Sequence, residues 1–159
     1  MIDINTGLTY NEYLNLATDE DRDMIEEFYA KSPIHTSSIP TLKDNHDIIV
    51  FSMPRCRDAA TVIPVLLELS KHNPNINIKF FNKEGHEELL KTLTGDIKIP
   101  TILKLNSSGK ILNKFLEFPS NVNEKICSNP DAKESIVANF RNNIYFKETK
   151  AEILDLLTK

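Results

Sequence analysis

"IIVFSMPRCRDAATVIPVLLEL", Ile48 to Leu69, is the stretch on which the reading of this chain turns. It grows out of "DIIVFS", a short continuous apolar run of the kind found in a central strand buried on both faces. Pro54 cannot donate to a strand ladder and ends the run. From Cys56 to about Lys71 the residues Ala60, Ile63, Leu66, Leu67 and Ser70 follow helical spacing, and Pro64 sits inside that helix, where it should bend it. The stretch therefore reads as a strand, a tight turn with one cysteine, and a helix. Position 59, three residues after Cys56 and one turn into the helix, is alanine.

Downstream, "NINIKFF" alternates and reads as the next strand. A helix separates it from the first, so the two should be parallel with a right-handed crossover. "GHEELLKTLTG" predicts a short helix closed by Gly95. "PTILKL" and "KILNKFLEF" predict two strands joined by "NSSG", a hairpin turn with Gly109. From Pro119 onward the chain reads as a polar loop, then one or two helices, "DAKESIVANFRNNI" and "KAEILDLL".

Upstream, Thr9 with Glu12 forms a candidate capping box, and Thr18 is a second cap followed by Asp19, Glu20 and Asp21 in a first turn. Met24, Ile25, Phe28 and Tyr29 then share one helical face, and "SPIHTSSIP" is a loop punctuated by Pro33 and Pro40. The order helix, β, α, β, α, β, β, α predicts an α/β fold: a mixed parallel and antiparallel sheet covered by helices. With 159 residues, one domain over 1–159 is expected. Its core should span about 47–118, with a helical extension over 1–46 and a loop and helices over 119–159.

Composition narrows the function. Apolar residues make up 40% and charged residues 26%, a soluble globular balance. A net charge of −4 gives no electrostatic reason to expect nucleic acid or an anionic membrane as partner. No apolar run approaches the ~20 residues that span a bilayer, and "MIDINTGLTYNEYL" lacks a signal-peptide pattern, so a cytoplasmic protein is the default expectation. Cys56 and Cys127 do not make a secreted disulfide framework. His35, His46, His72 and His86 show no ligand spacing, and no metal or cofactor is expected.

With Cys56 at a helix start, Pro64 eight residues on, "IKIPT" before the next strand and Gly109 in the hairpin, the region from Asp47 to Phe118 resembles the thioredoxin fold. More narrowly, the helical extension and "SMPRCRDA" resemble a bacterial thioredoxin-like family whose site reads Pro-Trp-Cys-Gly-Asp-Cys. Pro54, Cys56 and Asp58 match that pattern, whereas Arg55, Arg57 and Ala59 replace Trp, Gly and the second Cys. These departures suggest drift away from two-thiol chemistry. The resemblance implies that Pro100 follows a cis peptide bond beside the attacking sulfur. It also implies that Ile99 and Pro100, flanked by Arg55 and Arg57, form the substrate-binding edge, where an extended segment adds as a strand.

In a two-thiol site the first thiol attacks a disulfide and the second resolves the mixed disulfide. Ala59 cannot attack, so the local cycle is closed and Cys56 is the one nucleophile at the site. A thiol at a helix N-terminus sees unpaired N–H groups that favour thiolate. Arg55 and Arg57 would add to this if they point inward, and Asp58 would oppose them. Cys127, in the segment after the last strand, is a candidate distant resolving thiol; the plainer reading is a small buried residue beside Ile126. His86 with Glu87 reads as the solvated first turn of a helix rather than an acid–base pair.

Two functions follow. One is a monothiol thiol–disulfide oxidoreductase in cell redox homeostasis, with a disulfide- or thiol-containing protein or a low-molecular-weight thiol as partner. The other is a non-catalytic peptide- or protein-binding module with a vestigial site. Peptide binding that survives Cys56→Ser separates them.

Overall fold

The structure, a computed structural model, describes residues 2–159. A four-stranded sheet lies at its centre in the order β2-β1-β3-β4. β1 (His46–Ser52) pairs in parallel with β2 (Ile76–Asn82), and antiparallel with β3 (Thr101–Leu105), which pairs antiparallel with β4 (Ile111–Leu116). The parallel crossover is α3 (Arg57–Ser70), with Pro64 inside it. The hairpin between β3 and β4 turns on Gly109 at φ 82°, a backbone conformation glycine adopts without a Cβ clash.

Side chains of β1 alternate between two cores, as the period of 2 requires. Ile48 and Val50 face one side with Ile102 and Phe115, and α3 covers them with Val62, Ile63, Leu66 and Leu69. Ile49 and Phe51 face the other with Leu103, Leu105 and Phe81, under Leu90 of α4 (Glu87–Thr94). Gly95 ends α4 at φ 82°. The near-continuous apolar run of β1 thus reflects a strand covered on both faces.

The N-terminal extension is built as its caps dictate. Thr9 and Glu12 close a full capping box on α1 (Tyr10–Leu14), and Thr18 caps α2 (Asp19–Lys31) through the Asp21 N–H. Leu8 bridges Phe80 on the open edge of β2. Gly7 lies so close to β2 that a Cβ there would stand 2.7 Å from Lys79 Cβ and 2.8 Å from the Phe81 ring.

The C-terminal region departs from the sequence reading. The expected polar loop after Pro119 is a helix, α5 (Ser120–Ser128), followed by α6 (Lys133–Arg141) and α7 (Phe146–Thr158). The polar residues that suggested a loop form the solvated side of α5. Val122 and Ile126, four apart, turn to the core. No helix among the described residues is long and apolar enough to cross a membrane.

Candidate active site around Cys56

β1 ends where β3 begins, with Phe51 opposite Thr101. The turn that carries Cys56 and the segment that carries Pro100 therefore leave the same end of the sheet. Cys56 is the N-cap of α3, and its Sγ accepts the Ala59 N–H at 3.4 Å. The Ile99–Pro100 bond is cis. Pro100 is buried, Ile99 is half-buried, and Thr101 Oγ1 donates to the Lys98 carbonyl at 2.8 Å. Among the described residues the N–H and C=O of Ile99 form no backbone hydrogen bond, so this stretch keeps pairing capacity for an added strand. Ile97 beside it is an exposed apolar side chain.

Cys56 is only partly open to solvent. Behind it, Tyr10, Tyr13 and Tyr29 of the N-terminal helices form an aromatic wall around a cavity of about 10 Å³, room for roughly one water. Tyr13 is anchored there by a 2.8 Å hydrogen bond between its hydroxyl and Ser52 Oγ, and Tyr29 donates to Glu68 Oε1 at 2.6 Å. Burial pushes the Cys56 thiol up to about 11. The Ala59 N–H favours the thiolate, the Asp58 carboxylate opposes it, and the Asp58 N–H and Arg141 favour it again; together they do not outweigh burial. The helix start and its charges thus soften a desolvation cost instead of producing a low thiol pKa.

The guanidinium in this balance is not from Arg55 or Arg57, which are exposed and take no ion pair among the described residues. It comes from Arg141 at the end of α6, whose Nε donates to Asp58 Oδ1 at 2.8 Å. Asp58 is buried and Arg141 half-buried, so the pair is shielded from water on one side. Glu117, after β4, is the third charged group. Its N–H donates to the Pro100 carbonyl at 2.8 Å, and it holds φ 66°, a left-handed conformation that costs a non-glycine residue about 1 kcal/mol. Burial, then the Asp58 carboxylate, raises the Glu117 carboxyl, while Lys98 and Lys133 oppose the shift.

Cys56, Asp58, Ala59, Ile99 and Pro100 thus gather at one end of the sheet. Ala59 is buried against the core and its methyl group faces away from solvent. Cys127 stands on the helix after the last strand. It is exposed on α5, seven residues beyond the helix start, about 10 Å along the axis, and both cysteines are free thiols. His86 and Glu87 are used locally, His86 Nδ1 on the Asn82 carbonyl and Glu87 on the Gly85 N–H. Tyr13, Glu117 and Arg141 had no motif in the sequence. Arg141 stands 83 residues from Asp58 and meets it only through the packing of α6 on α3.

A strand, a cysteine at a helix N-cap and a cis-proline before an antiparallel hairpin make up the arrangement of a thioredoxin-like fold. A family model described as Thioredoxin matches residues 7–151, and the chain belongs to that family. No curated protein matches. Two solved structures share the fold. One is a protein of unknown function from Pseudomonas aeruginosa, at 18% identity and TM-score 0.77, covering 96% of this chain and 93% of that one. The other is an HIV epitope scaffold, at 16% identity and TM-score 0.76, with the same coverage of 96% and 93%.

Proposed function

We propose that this protein is a single-thiol exchanger, a degenerate two-thiol site in which Cys56 accepts one half of a disulfide and holds it. The observation that carries this reading is the N-cap placement of Sγ on the Ala59 N–H with no second thiol in reach at position 59. In the step, Cys56 thiolate attacks one sulfur of R–S–S–R′, the S–S bond breaks, and R′–S⁻ leaves to take up a proton. Release needs an external thiolate, from a low-molecular-weight thiol or from Cys127 of a second chain, which takes R as a new disulfide and frees Cys56. Arg55 and Arg57 on the rim, with the open backbone of Ile99, orient the substrate. A reducing, cytoplasmic compartment suits two unpaired thiols.

The thiol value decides what kind of exchanger this is. A pKa near 11 leaves roughly a hundredfold less thiolate at pH 7 than an ordinary thiol. The more basic thiolate is intrinsically about tenfold more nucleophilic, so the net cost in attack is about tenfold. The same basicity makes Cys56 a poor leaving group, so its mixed disulfides should persist. Slow capture and slow release describe a holder more than a turnover catalyst. The test is intact-mass analysis after exposure to glutathione disulfide: one adduct is expected, absent in Cys56→Ser and removed by excess small thiol. No adduct in the folded protein refutes the exchanger.

A second reading, a peptide-binding module that makes no use of the thiol, is favoured by the burial of Ala59 and of the thiol. It requires that an extended peptide bind on the Ile99–Pro100 edge with equal affinity in Cys56→Ser.

A further inference from the structure

Glu117 stands in the turn between β4 and α5, held in a left-handed conformation that glycine would take freely. A side chain kept in such a conformation must be over-determined by its surroundings, and residues of this kind cluster at functional sites. The Glu117 N–H donates to the Pro100 carbonyl at 2.8 Å, which sets the residue beside the substrate edge. Asn123 Nδ2 of α5 donates to the carbonyls on either side of it, Leu116 at 3.2 Å and Phe118 at 3.0 Å. Phe118 is buried and meets the Phe140 ring edge-on at 5.0 Å. The turn is thus fixed from β3, α5 and α6 at once, with a half-buried carboxyl where a glycine would be unstrained.

Charges from three elements face that carboxyl. Asp58 comes from α3, Lys98 and Asp96 from the segment before β3, and Lys133 from the start of α6. Among the described residues neither lysine closes an ion pair with Glu117, and Lys98 stands 3.7 Å from Asp96. Arg141 is committed to Asp58 at 2.8 Å. Two acids therefore share one corner, and its bound guanidinium belongs to Asp58, so a proton settles on Glu117. Asp58 is also within electrostatic reach of the Cys56 thiol, which ties both groups to one site. Attack on a disulfide is in line. Two S–S spacings of about 2 Å each put the leaving sulfur about 4 Å beyond Sγ, out over the Ile99–Pro100 edge that Glu117 adjoins.

We propose that Glu117 gives the proton to the thiol that leaves when Cys56 opens a disulfide, and that it directs the site to aliphatic disulfides. This rests on the exchanger reading above. Cys56 Sγ bonds to one sulfur, the S–S bond breaks, and its electron pair stays on R′–S. The Glu117 carboxyl passes its proton there to form R′–SH, is left as carboxylate, and regains a proton from water. Burial, and then Asp58, raise the Glu117 carboxyl, so it holds that proton closer to neutral pH than an ordinary carboxyl does. An aliphatic thiolate is basic and gains most from the transfer, whereas an aromatic one leaves unaided.

The test uses the full chain and two neutral disulfides, bis(hydroxyethyl) disulfide and dithiodipyridine, so that Arg55 and Arg57 act on both alike. The adduct at Cys56 is followed by peptide mass. Each rate is divided by the rate of iodoacetamide alkylation of Cys56 at the same pH, which follows the thiolate and needs no acid. For the aliphatic disulfide this ratio should fall as pH rises through the Glu117 titration, and for dithiodipyridine it should stay level. Glu117→Gln should lower the aliphatic ratio about tenfold or more below that titration, remove its pH dependence, and leave the aromatic ratio unchanged. Glu117→Gly should show the same loss with a thermal midpoint no lower than the parent's, because glycine relieves the left-handed strain; the loss then belongs to the acid and not to a damaged fold. Adducts from both disulfides whose ratios Glu117→Gln leaves unchanged, or lowers equally, overturn the proposal and leave the exchanger standing. No adduct from either disulfide, with alkylation intact, refutes the exchanger and the proposal with it.

Discussion

Titrating Cys56 by its rate of alkylation tests the balance of burial against charge at the site. In a Cys127→Ser background, iodoacetamide has one thiol to find. With a pKa near 11, about one Cys56 in ten thousand is thiolate at pH 7, against about one in a hundred for a thiol at the ordinary value of 9.0. The rate should therefore climb close to tenfold per pH unit from pH 7 to 10 and level off only near 11. In denaturant the same thiol should level off near the ordinary value, so the folded and unfolded curves converge at high pH. The charge pair then sets a direction for each variant. Asp58→Asn removes a carboxylate that raises the thiol and releases Arg141 from its 2.8 Å bond, so the midpoint should fall. Arg141→Gln leaves Asp58 unopposed, and the midpoint should rise. A parent midpoint at or below about 8.5 would refute the reasoning, because it would mean that the Ala59 N–H, the helix start and Arg141 outweigh burial. Identical midpoints in the parent and Asp58→Asn would show that the pair does not reach the sulfur.

Four further outcomes are expected. Ala59→Cys should form a 56–59 disulfide under mild oxidant, since the Ala59 N–H already sits 3.4 Å from Sγ; a variant that stays reduced by thiol counting would place position 59 off the first turn of α3. Gly7→Val should cost about 1–3 kcal/mol in urea unfolding, because its Cβ would meet β2 at 2.7 Å, and an unchanged midpoint would disprove that close approach. Leu66→Ala, fully buried between α3 and the sheet, should cost about 2–5 kcal/mol by the same assay, and a loss under about 1 kcal/mol would contradict its place in the core. The folded thiol holds its proton more tightly than the unfolded one, so its contribution to stability is full below about pH 9 and lost as pH rises through about 11; Cys56→Ala should flatten that alkaline limb in denaturant titrations, and an unaltered limb would contradict the shift.

What was legible in the sequence, and what was not, follows from the range of each interaction. Capping, strand burial and the crossover are local. Thr9 with Glu12 and Thr18 with its acids announce α1 and α2 within four residues, and the Ile48–Phe51 run announces a strand covered on both sides. α5 was hidden because only Val122 and Ile126 of its nine residues turn inward, too sparse a pattern to stand out from polar loop. At the site, the positions of Cys56, Ala59 and Pro100 are set by neighbours in the chain, and each could be placed by spacing. The charge state of the sulfur is not set that way. It depends on Tyr13 closing the back of the turn from one end of the chain and on Arg141 reaching Asp58 from the other. Arg55 and Arg57, adjacent in sequence, point to water, whereas a guanidinium from α6 sits beside the acid next to the thiol. Sequence adjacency at a helix start says which residues share a turn, but not which side chains share a dielectric. The electrostatics of this site are a product of the two helical extensions that the thioredoxin core does not itself supply. Removing the aromatic wall, for instance by Tyr13→Ala, should therefore bring the thiol back toward its ordinary value while leaving Cys56 at its N-cap.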